Sequence, residues 1–226
     1  HGWCGISPSG KQKGIMSLGK ISDKGFKSDN KHKSHDVFPF HNANKINLFG
    51  TFVMSLINLI YFVSNKFFYK KTKTLYDFLF PSANNFFYFS MFGNKCVIEH
   101  QVIIPHSNVS LYIRELENII SNNRPRISLC HMKLFSGKTH YVNFDGDGFC
   151  LALHFVNNNV SNIVLKEIDK IDIKYNCVSN LVKDSRLSTE VIGKQYPHYE
   201  KFVNSVKEYD PTLKFSNLIT EKIFNN

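Results

Sequence analysis

Lys183, Asp184, Ser185 and Arg186 form the densest chemical cluster in the chain. A lysine and an arginine this close could hold an anion, or stabilise charge developing on a substrate or cofactor, with Asp184 orienting one of them. The plainer alternative is a turn closed by a local Asp184–Arg186 ion pair, worth little when exposed. Asp145 and Asp147 could hold a cation, but they alternate with Gly146 and Gly148 in a run that reads as a turn between strands. Glycine-rich phosphate cradles are missing: Gly10 to Gly19 has neither a Gly-Lys-Ser/Thr ending nor a G-x-G-x-x-G run. No G-x-S-x-G elbow supports a serine nucleophile. Cys4, Cys96, Cys130, Cys150 and Cys177 are odd in number and widely spaced, without a Cys-x-x-Cys pair or a histidine at ligand spacing. They indicate a reducing compartment and no metal ligand set.

The Lys183 cluster needs a scaffold, and the hydrophobic pattern from residue 96 onward supplies one. Val97 to Ile104 is rich in Val and Ile and stops at Pro105, as a strand does. Val109, Tyr112, Ile113, Leu116, Ile119 and Ile120 recur at helical spacing, and Asn123 and Pro125 break that helix. Ile127 to Phe135 and Phe149 to Val156 are two further strands around the turn at Asp145 to Gly148. Val160, Val164, Ile168 and Ile171 mark a second helix, and a last strand is expected at about Cys177 to Val182. Ser188 to Gln195 and Tyr199 to Tyr209 read as closing helices separated by Pro197. The expected fold class is therefore α+β: an antiparallel sheet in a ferredoxin-like βαββαβ order, with helices on one face. The Lys183 cluster falls where the last strand hands over to a helix.

The 226 residues, 42% hydrophobic and 20% charged, suit a globular unit with a sizeable core. The net charge of +10 is unevenly placed. Residues 1–95 hold 13 lysines, no arginine and 4 acids, whereas residues 96–226 are close to neutral. Two parts are expected: a basic, loop-rich segment 1–95 with an apolar helix near 48–63, and an α+β domain 96–226. The Leu48 to Val63 stretch is interrupted by Thr51, Ser55 and Asn58 and falls short of the about 20 apolar residues that a membrane span needs. With the lysines that trail it, it suits a docked or membrane-surface helix. The chain starts at His1 without a leader pattern, which suggests a piece of something longer. An RNA-recognition reading of the ferredoxin-like order fails at Asp147, Leu151 and His154, where basic and stacking residues would be needed, and no nucleic-acid partner is expected.

The run Lys183-Asp184-Ser185-Arg186, followed by Ser188, Glu190, Tyr196-Pro197, Phe202 and Asp210-Pro211, resembles the C-terminal signature of FAD-linked oxidases of the decaprenylphosphoryl-ribose oxidase family, K-D-S-R-x-S-x-E, Y-P, an aromatic, D-P. Phe92-Gly93, Gln101 to Pro105, Lys133-Leu134-Phe135, Gly148-Phe149 and Phe155 extend the likeness over about residues 78–215. Ser9-Gly10-Lys11 and Gly14 match only loosely. Departures fall at Cys150 for a pocket Asn, Ala152 for a pocket Cys, Asn180 for a Tyr, Glu99 for the first Gln of Q-Y-Q and Ala83 for an Asp.

The resemblance implies a vanillyl-alcohol-oxidase-type flavoprotein whose C-terminal domain covers the flavin and forms the substrate pocket. FAD is then the cofactor, Lys183 the catalytic cation at the flavin N1 and C2 carbonyl edge, and Arg186 a second cofactor contact. Gln101, Lys133, Phe135, Cys150, Ala152 and Asn180 would line the substrate pocket. Expected partners are an FAD-binding domain or chain, absent from these residues, and a reductase completing an epimerase pair. The expected substrate is a polyprenyl-phosphate pentose oxidised at a hydroxyl carbon, and the expected place the cytoplasm at the inner face of the membrane. An aldonolactone oxidase of the same superfamily and a non-catalytic binding module, decayed or RNA-binding, are the alternatives.

Overall fold

The computed structural model describes residues 2–5, 13–22, 51–67, 72, 74, 75, 78, 97–183 and 186–224. Ser9, Gly10, Lys11, Leu48, Ala83, Phe92, Gly93, Cys96, Asp184 and Ser185, on which some of the expectations fall, lie outside the described residues. The chain is α+β. Strand β1 (Gly2–Gly5) and strand β2 (Lys13–Met16) are followed by helix α1 (Thr51–Phe67), strand β3 (Val97–Pro105), helix α2 (Val109–Asn123), strand β4 (Ile127–Phe135) and strand β5 (Gly148–Val156). Helix α3 (Asn159–Lys174), the two-residue strand β6 (Val178–Ser179) and helices α4 (Thr189–Gln195), α5 (Tyr199–Tyr209) and α6 (Leu218–Phe224) complete it.

The strands form one sheet in the order β2-β1-β4-β5-β3-β6, with antiparallel pairing between every two neighbours. The central ladder is long because β3 pairs with β5 over all nine residues, from Val97 opposite Val156 to Pro105 opposite Gly148. The expected last strand is shorter than its apolar run: only Val178 and Ser179 pair with Ile103 and Val102, and the chain then turns at Leu181–Lys183. At the other edge β1 adds to β4, so the sheet draws strands from both sides of residue 95.

Alternation along each strand divides the side chains between two faces. Val102 and Ile104 of β3, Cys130 and Met132 of β4, and Leu151, Leu153 and Phe155 of β5 pack with Tyr112, Leu116 and Ile120 of α2 and Val164, Leu165, Ile168 and Ile171 of α3. Each fully buried aliphatic side chain in such a core contributes about 1.5–3 kcal/mol. The helices begin and end where local chemistry dictates. The Asn158 side chain accepts from the Ser161 N–H at 2.9 Å and caps α3, while Arg124 ends α2 in the left-handed conformation, φ 49°. A smaller cluster of Leu181, Leu187, Ile192 and Tyr196, joined by Val178 and Ile219, closes the β6 edge under α4 and α6.

One polar network is embedded in the α2–α3 side. The Tyr112 hydroxyl donates to Asp172 Oδ1 at 2.7 Å, His100 Nε2 lies 3.1 Å from Asp172 Oδ2, and the Ser179 hydroxyl reaches the same oxygen at 3.5 Å. His100 and Asp172 are both fully buried, so these contacts replace the water that a carboxylate otherwise needs. The network ties β3, α2, α3 and β6 together at one point.

Candidate functional site

The sheet face turned away from α2 and α3 is built from the alternate residues of β3, β4 and β5. Register sets them in rows: Leu129, His154 and Glu99 lie side by side, then His131, Ala152 and Gln101, then Lys133, Cys150 and Ile103. Apolar and polar side chains are thus interleaved on a flat surface whose middle column, Cys150, Ala152 and His154, is buried. Ala152 leaves the least side chain at the centre, between the longer Gln101 and His131.

The β6 end adds two more groups. The Asn180 N–H donates to the Gln101 carbonyl at 2.8 Å, and the Asn180 side-chain amide donates to Gln101 Oε1 at 2.6 Å. The Gln101 amide in turn donates to Cys150 Sγ at 3.6 Å. The turn closed by the Lys183 N–H on the Asn180 carbonyl at 3.1 Å then brings Lys183 back over the face, where its Nζ lies 3.1 Å from Glu99 Oε2. Glu99 also has His154 Nε2 at 3.7 Å. Phe135, at the far end of β4 opposite Gly148, packs edge-on against Phe144 with ring centroids 5.7 Å apart.

Electrostatics follows from this placement. Burial opposes the charge on Glu99, but the nearness of His154, then of Lys183, outweighs it and holds the carboxyl down at about 2. Burial, with the nearby His154 and Lys133, pushes His131 down to about 4, so it is neutral at pH 7. Burial raises the Cys150 thiol to about 11 even though Lys133 and the Gln101 hydrogen bond pull the other way. The face therefore presents an ionised carboxylate, neutral amides, an inert thiol and two lysine ammonium groups.

Of the eight residues singled out in the sequence, Gln101, Lys133, Cys150, Ala152, Asn180 and Lys183 gather on this face, and Phe135 lies on the same face at its far end, in the Pro105–Gly148 row. Arg186 does not join them. Its guanidinium forks onto Asp169 of α3, with Nη1 to Oδ2 at 2.5 Å and Nη2 to Oδ1 at 2.7 Å, so its strongest donors are spent tethering the turn to the helix layer. Asp145 to Asp147 form the last part of the loop that joins β4 to β5, not a tight turn, with the Thr139 hydroxyl donating to the Asp145 carbonyl at 2.6 Å and the Gly146 N–H to Asp145 Oδ1 at 2.8 Å.

Sequence reasoning missed His131 and took Glu99 and His154 only as departures from motifs. Their rings and carboxylate meet across three strands, with the two imidazoles edge to face at 5.7 Å between centroids. No spacing in the chain signals this; only period-two alternation combined with the strand register does. No protein-family model matches the chain, and no curated protein matches it.

Proposed function

We propose that this chain is the substrate-side portion of an FAD-dependent oxidoreductase that oxidises a hydroxyl carbon of a sugar, a polyprenyl-phosphate pentose, by hydride transfer to flavin. The observation that carries the reading is the convergence of Lys183, Gln101, Lys133, Phe135, Cys150, Ala152 and Asn180, drawn from four separate segments, on one face of the sheet. Flavin, when bound, supplies the acceptor for the hydride. The Lys183 ammonium is 48% exposed and anchored on one side by Glu99, which leaves donors for the pyrimidine edge of a reduced, anionic flavin. Gln101 and Asn180 fix each other's amides and so offer hydrogen-bonding groups of set orientation to sugar hydroxyls. Lys133 adds a cation for the phosphate end of the substrate.

The RNA-binding alternative calls for aromatic side chains exposed on the sheet. Cys150, Ala152 and His154 occupy the middle strand of this face instead, which favours a face that another domain covers. Helix α1 supports a substrate carried by a lipid. Phe52, Leu59 and Ile60 are 80%, 57% and 59% exposed on it, and Lys66 sits in its last turn. Among the described residues no helix is long and apolar enough to cross a membrane; the exposed apolar side chains of α1, with Lys66 in its last turn, suit contact with a membrane surface.

The test is to purify the chain with and without a co-expressed flavin-binding segment, taken from the flanking gene sequence or from a partner gene, and to record the flavin absorbance. Yellow protein that forms only in combination is the expected result. A chain that stays colourless and unassociated with every such segment overturns the reading in favour of a binding module.

A further inference from the structure

Glu99, His131 and His154 each direct one ligand atom into a common space, with all three atoms within 4.8 Å of one another. Glu99 Oε2 and His154 Nε2 are 3.7 Å apart, near the spacing of two ligands that share one ion at about 2.0–2.2 Å. The His154 and Glu99 side chains are only 7% and 17% exposed, so this is a built site and not a solvated surface cluster. Among the described residues the buried Nε2 of His131 finds no hydrogen-bond partner, which is costly for a polar atom out of water. Lys183 Nζ, 3.1 Å from Glu99 Oε2, already places a positive charge at the mouth of the trio.

Two imidazole nitrogens and one carboxylate oxygen are the donor set of three-ligand zinc sites that keep a fourth position open. The comparable trio of His100, Asp169 and Asp172 has its oxygens engaged by Tyr112, Ser179 and Arg186, and offers no such vacancy. We propose that Glu99, His131 and His154 bind Zn2+ or a chemically similar divalent ion, which displaces the Lys183 ammonium from Glu99. The ion and the ammonium compete for one carboxylate, so metal occupancy and the Lys183–Glu99 pair exclude each other. The site belongs to the sheet face itself and does not depend on flavin.

Zn2+ titration of the purified chain by calorimetry, and Co2+ titration followed by its visible ligand-field absorption, test this directly. One saturable site with a nitrogen- and oxygen-ligated Co2+ spectrum is expected. Affinity should fall more than tenfold in Glu99→Gln and in His131→Gln, each checked for folding by circular dichroism. It should rise several-fold in Lys183→Ala, because the competing ammonium is gone. Lys183 is half exposed, so that variant decides the matter if the ligand variants fail to fold. Absence of saturable binding, affinity unchanged in folded ligand variants, or affinity lowered by Lys183→Ala overturns the proposal.

Discussion

Asn180 grips Gln101 twice, through its backbone N–H on the Gln101 carbonyl and through its side-chain amide on Gln101 Oε1 at 2.6 Å. This double contact continues the β3–β6 pairing by one residue after the strand has ended, and it sets where the Lys183 turn begins. Asn180→Ala removes one of the two contacts and should cost about 1 kcal/mol in urea unfolding. A double-mutant cycle of Asn180→Ala with Gln101→Ala should show coupling of about 0.5 kcal/mol or more, since the pair share one hydrogen bond. Strict additivity would mean that the side chains do not hold one another.

Asp172 gathers Tyr112, His100 and Ser179 in the interior. Removing the acceptor strands three buried groups, so Asp172→Ala should destabilise by about 3–5 kcal/mol. Tyr112→Phe removes one donor and should cost about 1–3 kcal/mol. Denaturation that ranks Tyr112→Phe as the more damaging change would show that the carboxylate is not the hub.

The Cys150 thiol is buried and raised to about 11, and burial raises Cys177 further still, chiefly by keeping the thiolate from water. At pH 8 only about one Cys150 in a thousand is then the reactive thiolate. Peptide mapping after iodoacetamide treatment should find Cys150 and Cys177 unmodified in the native protein and fully modified in urea. Raising the pH from 7 to 9 should leave both protected. Labelling of native Cys150 at the rate of an exposed thiol would contradict the burial of this column.

Much of this fold is legible in the chain. The nine-residue run Ile127–Phe135 emerges as a strand with the expected bounds because its apolar density and its flanking Pro125 and Gly137 leave little else. α2 and α3 follow their apolar spacing in the same way. What escapes is structure made by pairing. Gly2–Gly5 has too few apolar residues to stand out from other short extended pieces and is a strand through its ladder with β4, while Val178–Ser179 is short because the chain turns away from β3 at Leu181–Lys183. Leu218–Phe224 is only seven residues, too short for periodicity to identify it. The site divides along the same line. Lys183 and Gln101 lie in motifs, whereas the meeting of Glu99, His131 and His154 depends on the registers of three strands, and the Arg186–Asp169 fork depends on how α3 packs beside the turn after β6, which the apolar spacing within α3 does not give.

Helix α1 should bring the chain to anionic membranes. Flotation with vesicles containing phosphatidylserine should recover the protein, neutral vesicles should recover much less, and salt should weaken the binding, since each lysine near the surface contributes about 1 kcal/mol. Leu59→Asp with Ile60→Asp should abolish flotation without unfolding the sheet. Equal recovery with neutral and anionic vesicles, or none with either, would remove the surface role.

In the proposed function, Lys183 stabilises charge on a flavin lying against this face. The decisive measurement is anaerobic stopped-flow reduction, by a polyprenyl-phosphate pentose, of the chain assembled with a flavin-binding segment, wild type against Lys183→Ala. Similar flavin content in the two proteins and reduction slowed about 10²–10³-fold in the variant are expected. Unchanged reduction kinetics with flavin bound would contradict it.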